Sequence, residues 1–125
     1  MMTSSFSISG TDPNGVCIAR FPPRFIPFKG PKYIDLAPSK LLLKAWKSGT
    51  INEKEYTDRF YQETLSRTTP GKVLQDLGEE SILLCYEKPG QFCHRQLVGK
   101  WLEEALGIAV PEKRLQTGKN TGDQK

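Results

Sequence analysis

Ser81-Ile82-Leu83-Leu84-Cys85-Tyr86-Glu87, followed by Lys88-Pro89-Gly90-Gln91-Phe92-Cys93-His94-Arg95, is the stretch that decides the fold. Ile82 to Cys85 is apolar at every position. A strand with one solvated face alternates, so a run apolar on both faces predicts a central parallel strand covered on both sides. Lys88 to Gln91 reads as a turn. From about His94 the apolar residues Leu97, Val98, Trp101, Leu102, Ala105 and Leu106 recur at helical spacing, and Gly107 stops them. Strand, short turn and helix in that order form half of a parallel α/β unit.

Upstream, Val16-Cys17-Ile18-Ala19-Arg20 reads as a second buried strand. Phe6 to Gly10 reads as a short first strand or the lead into one, with turn chemistry at Thr11-Asp12-Pro13-Asn14-Gly15 between them. Phe21 to Pro31 holds four prolines, which exclude a helix and predict an ordered loop pinned by aromatics. Pro38 suits the first turn of a helix carrying Leu41, Leu42, Ala45 and Trp46 on one face and ending at Gly49. Asn52 and Glu55 have capping-box spacing for a helix to about Arg67, with Glu55–Arg59 and Glu63–Arg67 as supporting pairs. Pro70 opens a short helix, Lys72 to Leu77, closed by Gly78. Ile108-Ala109-Val110 reads as a final short strand, and the polar chain beyond Pro111 as a mobile tail. The predicted architecture is α/β: a single three-layer, Rossmann-like domain over residues 1–112, with a central, mostly parallel sheet flanked by helices, and a flexible tail over 113–125.

Composition agrees with a globular reading. At 37% hydrophobic and 26% charged residues, the chain is too apolar for a disordered one, and 125 residues suffice for one core. No apolar run approaches the ~20 residues of a membrane span. Met1 to Gly10 lacks a signal-peptide pattern. Three cysteines, an odd number, do not read as a disulfide framework. A cytoplasmic protein with free thiols is therefore expected. The net charge of +4 is uneven. Cys17 to Ser48 carries +6, from seven basic residues against Asp35, and the rest sums to −2. Such a field attracts anions, or is a solvated basic face.

The chemistry-bearing residues concentrate between Cys85 and Arg95. Ligands of open α/β sheets sit outside the carboxyl ends of strands, and a helix N-terminus there favours an anion. Cys93, beside His94 and Arg95 at that N-terminus, is expected to have a lowered pKa and to serve as a nucleophile. His94 or Glu87 is the proton carrier. Arg95, with Arg20 and Arg24, can grip phosphate or carboxylate. Cys85 and Tyr86 complete the lining, unless Cys85 is simply core. His94 can instead cap its helix or bond a carbonyl, and Arg95 can instead pair with Glu87. Trp46 and Trp101 read as core. No metal is expected: Cys85, Cys93 and His94 lack knuckle spacing, and the adjacent pair is expected to point apart. No cofactor is implied. A Cys-x5-Arg phosphatase loop, a P-loop and a dinucleotide glycine fingerprint are absent.

Leu83-Leu84-Cys85-Tyr86-Glu87 through Cys93-His94-Arg95, with Leu97-Val98 and Trp101-Leu102, resembles the domain-of-unknown-function 488 family. Ile18-Ala19-Arg20-Phe21-Pro22-Pro23 and Leu36-Ala37-Pro38-Ser39 extend the resemblance, which covers roughly residues 5–110. It implies a three-layer α/β fold with a mostly parallel sheet, and a site of Arg20, Cys85, Glu87, Cys93, His94 and Arg95. The reaction stays open. The first reading is a pocket that binds, and by doing so can sequester, a small anionic, nucleotide-derived ligand. The alternatives are a cysteine-dependent transferase or hydrolase acting on such a ligand and, ranked below, a nucleic-acid-interacting protein using the basic segment. No membrane partner is expected, and the oligomeric state is not legible.

Overall fold

A computed structural model describes residues 1–21, 23, 28–87 and 91–113. Strand β1 (Met2–Ser5) runs into a short helix α1 (Phe6–Ser9), and strand β2 (Gly15–Cys17) follows. Helices α2 (Lys40–Lys47), α3 (Glu53–Glu63) and α4 (Pro70–Leu77) precede strand β3 (Ile82–Cys85), and α5 (His94–Leu106) comes last. Single 3-10 turns lie at Ile34–Leu36 and Leu65–Arg67. No helix among the described residues is long and apolar enough to cross a membrane.

The sheet is three-stranded, open and wholly parallel, in the order β1-β3-β2. Leu83 pairs with Thr3 on one side and Val16 on the other. All four residues of β3 are buried, as the unbroken apolar run predicts. Leu83 joins a core of Leu42, Tyr56, Phe60, Val73, Val98 and Leu102, drawn from α2 to α5. Ile82 and Leu84 pack instead with Phe6, Cys17, Ala19 and Phe28. Four helices thus supply one core cluster, and the four-residue α1 supplies the other.

Local chemistry explains most element ends. Ser39 accepts from the Leu42 amide at 3.1 Å, so Ser39, and not Pro38, opens α2. Asn52 and Glu55 form the expected capping box at 2.8 and 3.1 Å. Because Glu55 is used there, the intrahelical pairs of α3 are Lys54–Asp58 and Arg59–Glu63, not the two expected. The helix ends at Glu63, and only a 3-10 turn reaches Arg67.

Both chain-end readings need correction. The first strand is Met2–Ser5, and Phe6–Ser9 is a helix. Met-Thr-Ser-Ser carries little strand signal, but its hydroxyls satisfy one another once buried: Ser4 Oγ lies 2.7 Å from Ser9 Oγ, and Ser5 Oγ 3.0 Å from Ser7 Oγ. Ile108–Val110 is not a strand, and the chain just beyond Pro111 is not loose. Thr3 donates to the Pro111 carbonyl at 2.9 Å and accepts from the Lys113 amide at 2.7 Å, so this segment borders β1. Residues 114–125 of the expected tail lie outside the described residues.

Glu112 is docked there for an electrostatic reason. Arg95 is fully buried, and its Nε donates to Glu112 Oε1 at 2.9 Å. The expected Glu87–Arg95 pair does not form, because Glu112 is the partner. Breaking a buried pair by removing one member costs roughly 3–5 kcal/mol, since a bare charge stays buried. Glu112→Ala is therefore expected to lower the urea unfolding midpoint by that equivalent at unchanged slope. A loss below about 1 kcal/mol, within the range of an ordinary surface pair, would show that Arg95 does not depend on Glu112.

Candidate functional site

β3 ends at Cys85, and Tyr86 and Glu87 lead away from the carboxyl edge of the sheet. α5 returns to that edge with Cys93 as its N-cap, in extended conformation (φ −155°, ψ 151°). An N-cap usually carries a side-chain oxygen for the free amides. Cys93 offers none. Its own amide donates to Gln96 Oε1 at 3.3 Å, and Gln96 Nε2 donates to the Gln91 carbonyl at 2.7 Å.

The backbone passes from extended at Cys93 to helical at His94, and this brings the neighbouring side chains together. His94 Nδ1 lies 3.7 Å from Cys93 Sγ and 3.6 Å from Cys85 Sγ. The expectation that Cys93 and His94 point apart is overturned. The other ring nitrogen, Nε2, lies 2.7 Å from the Ile18 carbonyl oxygen. A carbonyl only accepts, so Nε2 carries the proton, and Nδ1 of the neutral ring presents a lone pair to both sulfurs. Ile18 is anchored in turn by its amide to the Leu84 carbonyl at 3.1 Å. The Phe60 ring packs against the imidazole, centroids 5.5 Å apart. Cys85 Sγ also donates to Glu87 Oε1 at 3.6 Å.

Burial sets the electrostatics. Cys85 and Cys93 are each 4% exposed, so exposure does not distinguish the two thiols. Burial pushes the Cys93 thiol well above its ordinary range, the Cys85 contact adds to this, and His94 only partly offsets it. The lowered pKa expected from the helix terminus is therefore corrected, because desolvation of the thiolate outweighs the terminal field. Burial opposes charge on His94 as well, but a negative Cys93 and the Ile18 carbonyl raise its pKa. The coupling is mutual: a negative Cys93 raises the affinity of the imidazole for a proton, and a charged imidazole favours the thiolate.

The cluster opens on a cavity of about 520 Å³. Cys85, Tyr86, Glu87, Cys93 and His94 all line it, and so does Arg20. Arg20 is oriented by an Nε bond to the Pro38 carbonyl at 2.9 Å. Arg95 does not line the cavity but points to Glu112. Arg24 lies outside the described residues, as does the turn at Lys88–Gly90. Part of the lining is aromatic. Trp46, Tyr56 and Phe92 contact one another with centroids 5.1 to 5.5 Å apart, and Lys47 lies beside them. Trp46, expected in the core, packs against it half-buried and also lines the cavity, while Tyr56, Phe92 and Lys47 carried no sequence signal for the site. They come from α2, α3 and the approach to α5, far apart in the chain.

In chelator-containing buffer, alkylation of Cys93 should still be accelerating as the pH passes ~8.5, the ordinary thiol value. A raised pKa moves the rise in thiolate fraction to higher pH. A rate that levels off by about pH 8, followed by mass spectrometry of the labelled peptide, would show the opposite shift.

No curated protein and no solved structure matches the chain. A family match does cover most of it: residues 13–106 match DUF488-N3a, described as the active DUF488-N3 subclade. That span holds β2, β3, α2 to α5 and every residue named at the cavity. The chain belongs to the DUF488 family, in this subclade.

Proposed function

We propose that the cavity at the carboxyl edge of the sheet binds a small anionic, nucleotide-derived ligand. The observation that carries this reading is the pairing, in one lining, of the Trp46–Tyr56–Phe92 wall with the cations Arg20 and Lys47. A nucleotide needs those two features: an aromatic face for the base and positive donors for the phosphate. About 520 Å³ falls in the range of small-molecule sites. We also read the sheet as Rossmann-like, in which ligands gather outside the strand ends. Arg95 has no part in this reading, because its guanidinium serves Glu112.

A second reading is supported by the sulfur–imidazole contacts: a cysteine-dependent transferase or hydrolase acting on the bound ligand. Cys93 would be the nucleophile, and His94 Nδ1, 3.7 Å from its sulfur, the proton acceptor. The raised thiol pKa weighs against it, because the nucleophile then needs His94 to ionise it.

Calorimetry with nucleoside mono- and diphosphates tests the binding reading. Lys47→Ala should weaken the best ligand by about 1.5–3 kcal/mol, the scale of a charged hydrogen bond. Trp46→Ala should cost about 1–3 kcal/mol through lost stacking. Lys44→Ala, on an exposed side chain outside the lining, should change little. The reading fails if no nucleotide binds while oligonucleotides bind with a steep salt slope carried by Lys40, Lys44 and Lys47.

A further inference from the structure

We propose that Cys85, Cys93 and His94 form a three-ligand site for a divalent metal ion, best matched by zinc, with the fourth position open to the cavity beside Glu87. This goes beyond the ligand reading of the cavity and does not depend on it. It also departs from what the spacing predicts, since Cys85 and Cys93 are eight residues apart and two ligands are adjacent in sequence. Tertiary structure supplies the convergence that the spacing lacks.

The geometry is the first support. Cys85 Sγ, Cys93 Sγ and one His94 nitrogen lie within 4.8 Å of one another, and all three residues are buried. Zinc bonds of about 2.3 Å to sulfur and about 2.05 Å to nitrogen, at a tetrahedral angle, place S and N about 3.6 Å apart. The two sulfur–Nδ1 separations are 3.6 and 3.7 Å. Tetrahedral zinc also sets its two sulfurs about 3.8 Å apart. Here they lie within 4.8 Å, so an ion seated between the three atoms draws them together by about 1 Å at most.

The second support is the convergence of two sulfurs on one nitrogen lone pair in the metal-free cluster. With Nε2 committed to Ile18, Nδ1 offers a single lone pair. A thiol–imidazole hydrogen bond uses that lone pair once, yet two sulfurs face it; the Cys85 thiol that turns to Glu87 Oε1 still leaves its sulfur 3.6 Å from Nδ1 without a bond between them. A metal ion satisfies both sulfurs and the nitrogen together. The bond from Nε2–H to a backbone carbonyl is also the usual outer contact of a metal-bound histidine, which fixes its tautomer and orientation.

Charge is the third support. Two buried thiolates without a cation would stand far above the neutral form in energy. With a divalent ion the group is neutral, and the nearby Arg95 is already balanced by Glu112. Each thiol loses its proton to solvent as its sulfur–metal bond forms, so binding releases two protons per ion. Three protein ligands and an open position facing a cavity are the arrangement of catalytic zinc sites, whereas structural sites close all four. Glu87 stands where it can accept a hydrogen bond from water held at that position.

Cobalt(II) added to chelator-stripped full-length protein provides the test. One cobalt per chain should bind, with sulfur-to-cobalt charge-transfer and tetrahedral d–d absorption, and zinc should displace it. Cys85→Ser or Cys93→Ser should roughly halve the charge-transfer intensity. Each should also weaken binding by about 100-fold or more, beyond the 10–100-fold typical of outer-shell partners. Cys17→Ala should keep both, because Cys17 lies outside the cluster, its sulfur contacting the Ala19 carbonyl. In the unmodified chain, which tests the site without risk of misfolding, zinc should protect Cys85 and Cys93 from alkylation. Absence of charge-transfer absorption together with unchanged alkylation of the unmodified chain in zinc would overturn the site. Full-intensity absorption in a folded Cys93→Ser chain would do the same. Lys47→Ala should bind cobalt normally while binding nucleotide more weakly, so the failure of either reading is visible without the other.

Discussion

β3 must be covered on both faces, and the remainder of the structure follows from that constraint. Ile82, Leu83, Leu84 and Cys85 expose almost nothing, so the strand has to pair on both edges and pack on both sides. Parallel pairing to β1 and β2 meets the first requirement, and it obliges the chain to cross over before each return. The long crossover between β2 and β3 contains α2, α3 and α4, whose apolar faces cover Leu83. Parallel strands also share a direction, so the carboxyl ends of β2 and β3 finish at one edge. The site collects there because Ile18, Cys85 and the start of α5 are brought to the same place.

His94 turns this coincidence of strand ends into a defined cluster. Its Nε2 bond to the Ile18 carbonyl joins the first residue of α5 to the end of β2, and Ile18 is itself tied to Leu84. With the ring locked at that nitrogen, Nδ1 has one direction left, toward the two sulfurs. The Cys93 sulfur cannot ionise alone at low cost in such a buried setting. Under the two proposed readings, the state of the cluster depends on what is bound, a nucleotide in the cavity or a cation between the sulfurs. Both readings place the reactive atoms where the cavity can deliver a small molecule to them.

Arg95 shows how a residue beside the site can serve the fold. Its guanidinium lies under α5 with Glu112 and holds the segment after Pro111 against β1. The Cys-His-Arg triplet therefore divides its work within one helical turn: two residues line the cavity and the third bonds Glu112. Successive positions on a helix are about 100° apart, so neighbours cannot all serve one pocket. Cys93 and His94 escape this rule only because Cys93 is still extended.

The central strand, the helix from His94 to Leu106 and the capping box at Asn52 were legible in the sequence. Each rests on local periodicity or on contacts within four residues, which chain order alone determines. The family was legible too, through the Cys-x-Glu and Cys-His-Arg segments on either side of a short turn. The first strand was not, because Met-Thr-Ser-Ser owes its place to hydroxyl partners and to pairing with a strand 80 residues away. The same holds for Arg95 and Glu112, for the aromatic wall of Trp46, Tyr56 and Phe92, and for the convergence of both sulfurs on Nδ1. Sequence determined which residue types were available and which local elements they formed. Only tertiary structure decided which of them share a pocket, because sulfur–nitrogen distances and the burial that sets their protonation arise from packing between segments far apart in the chain.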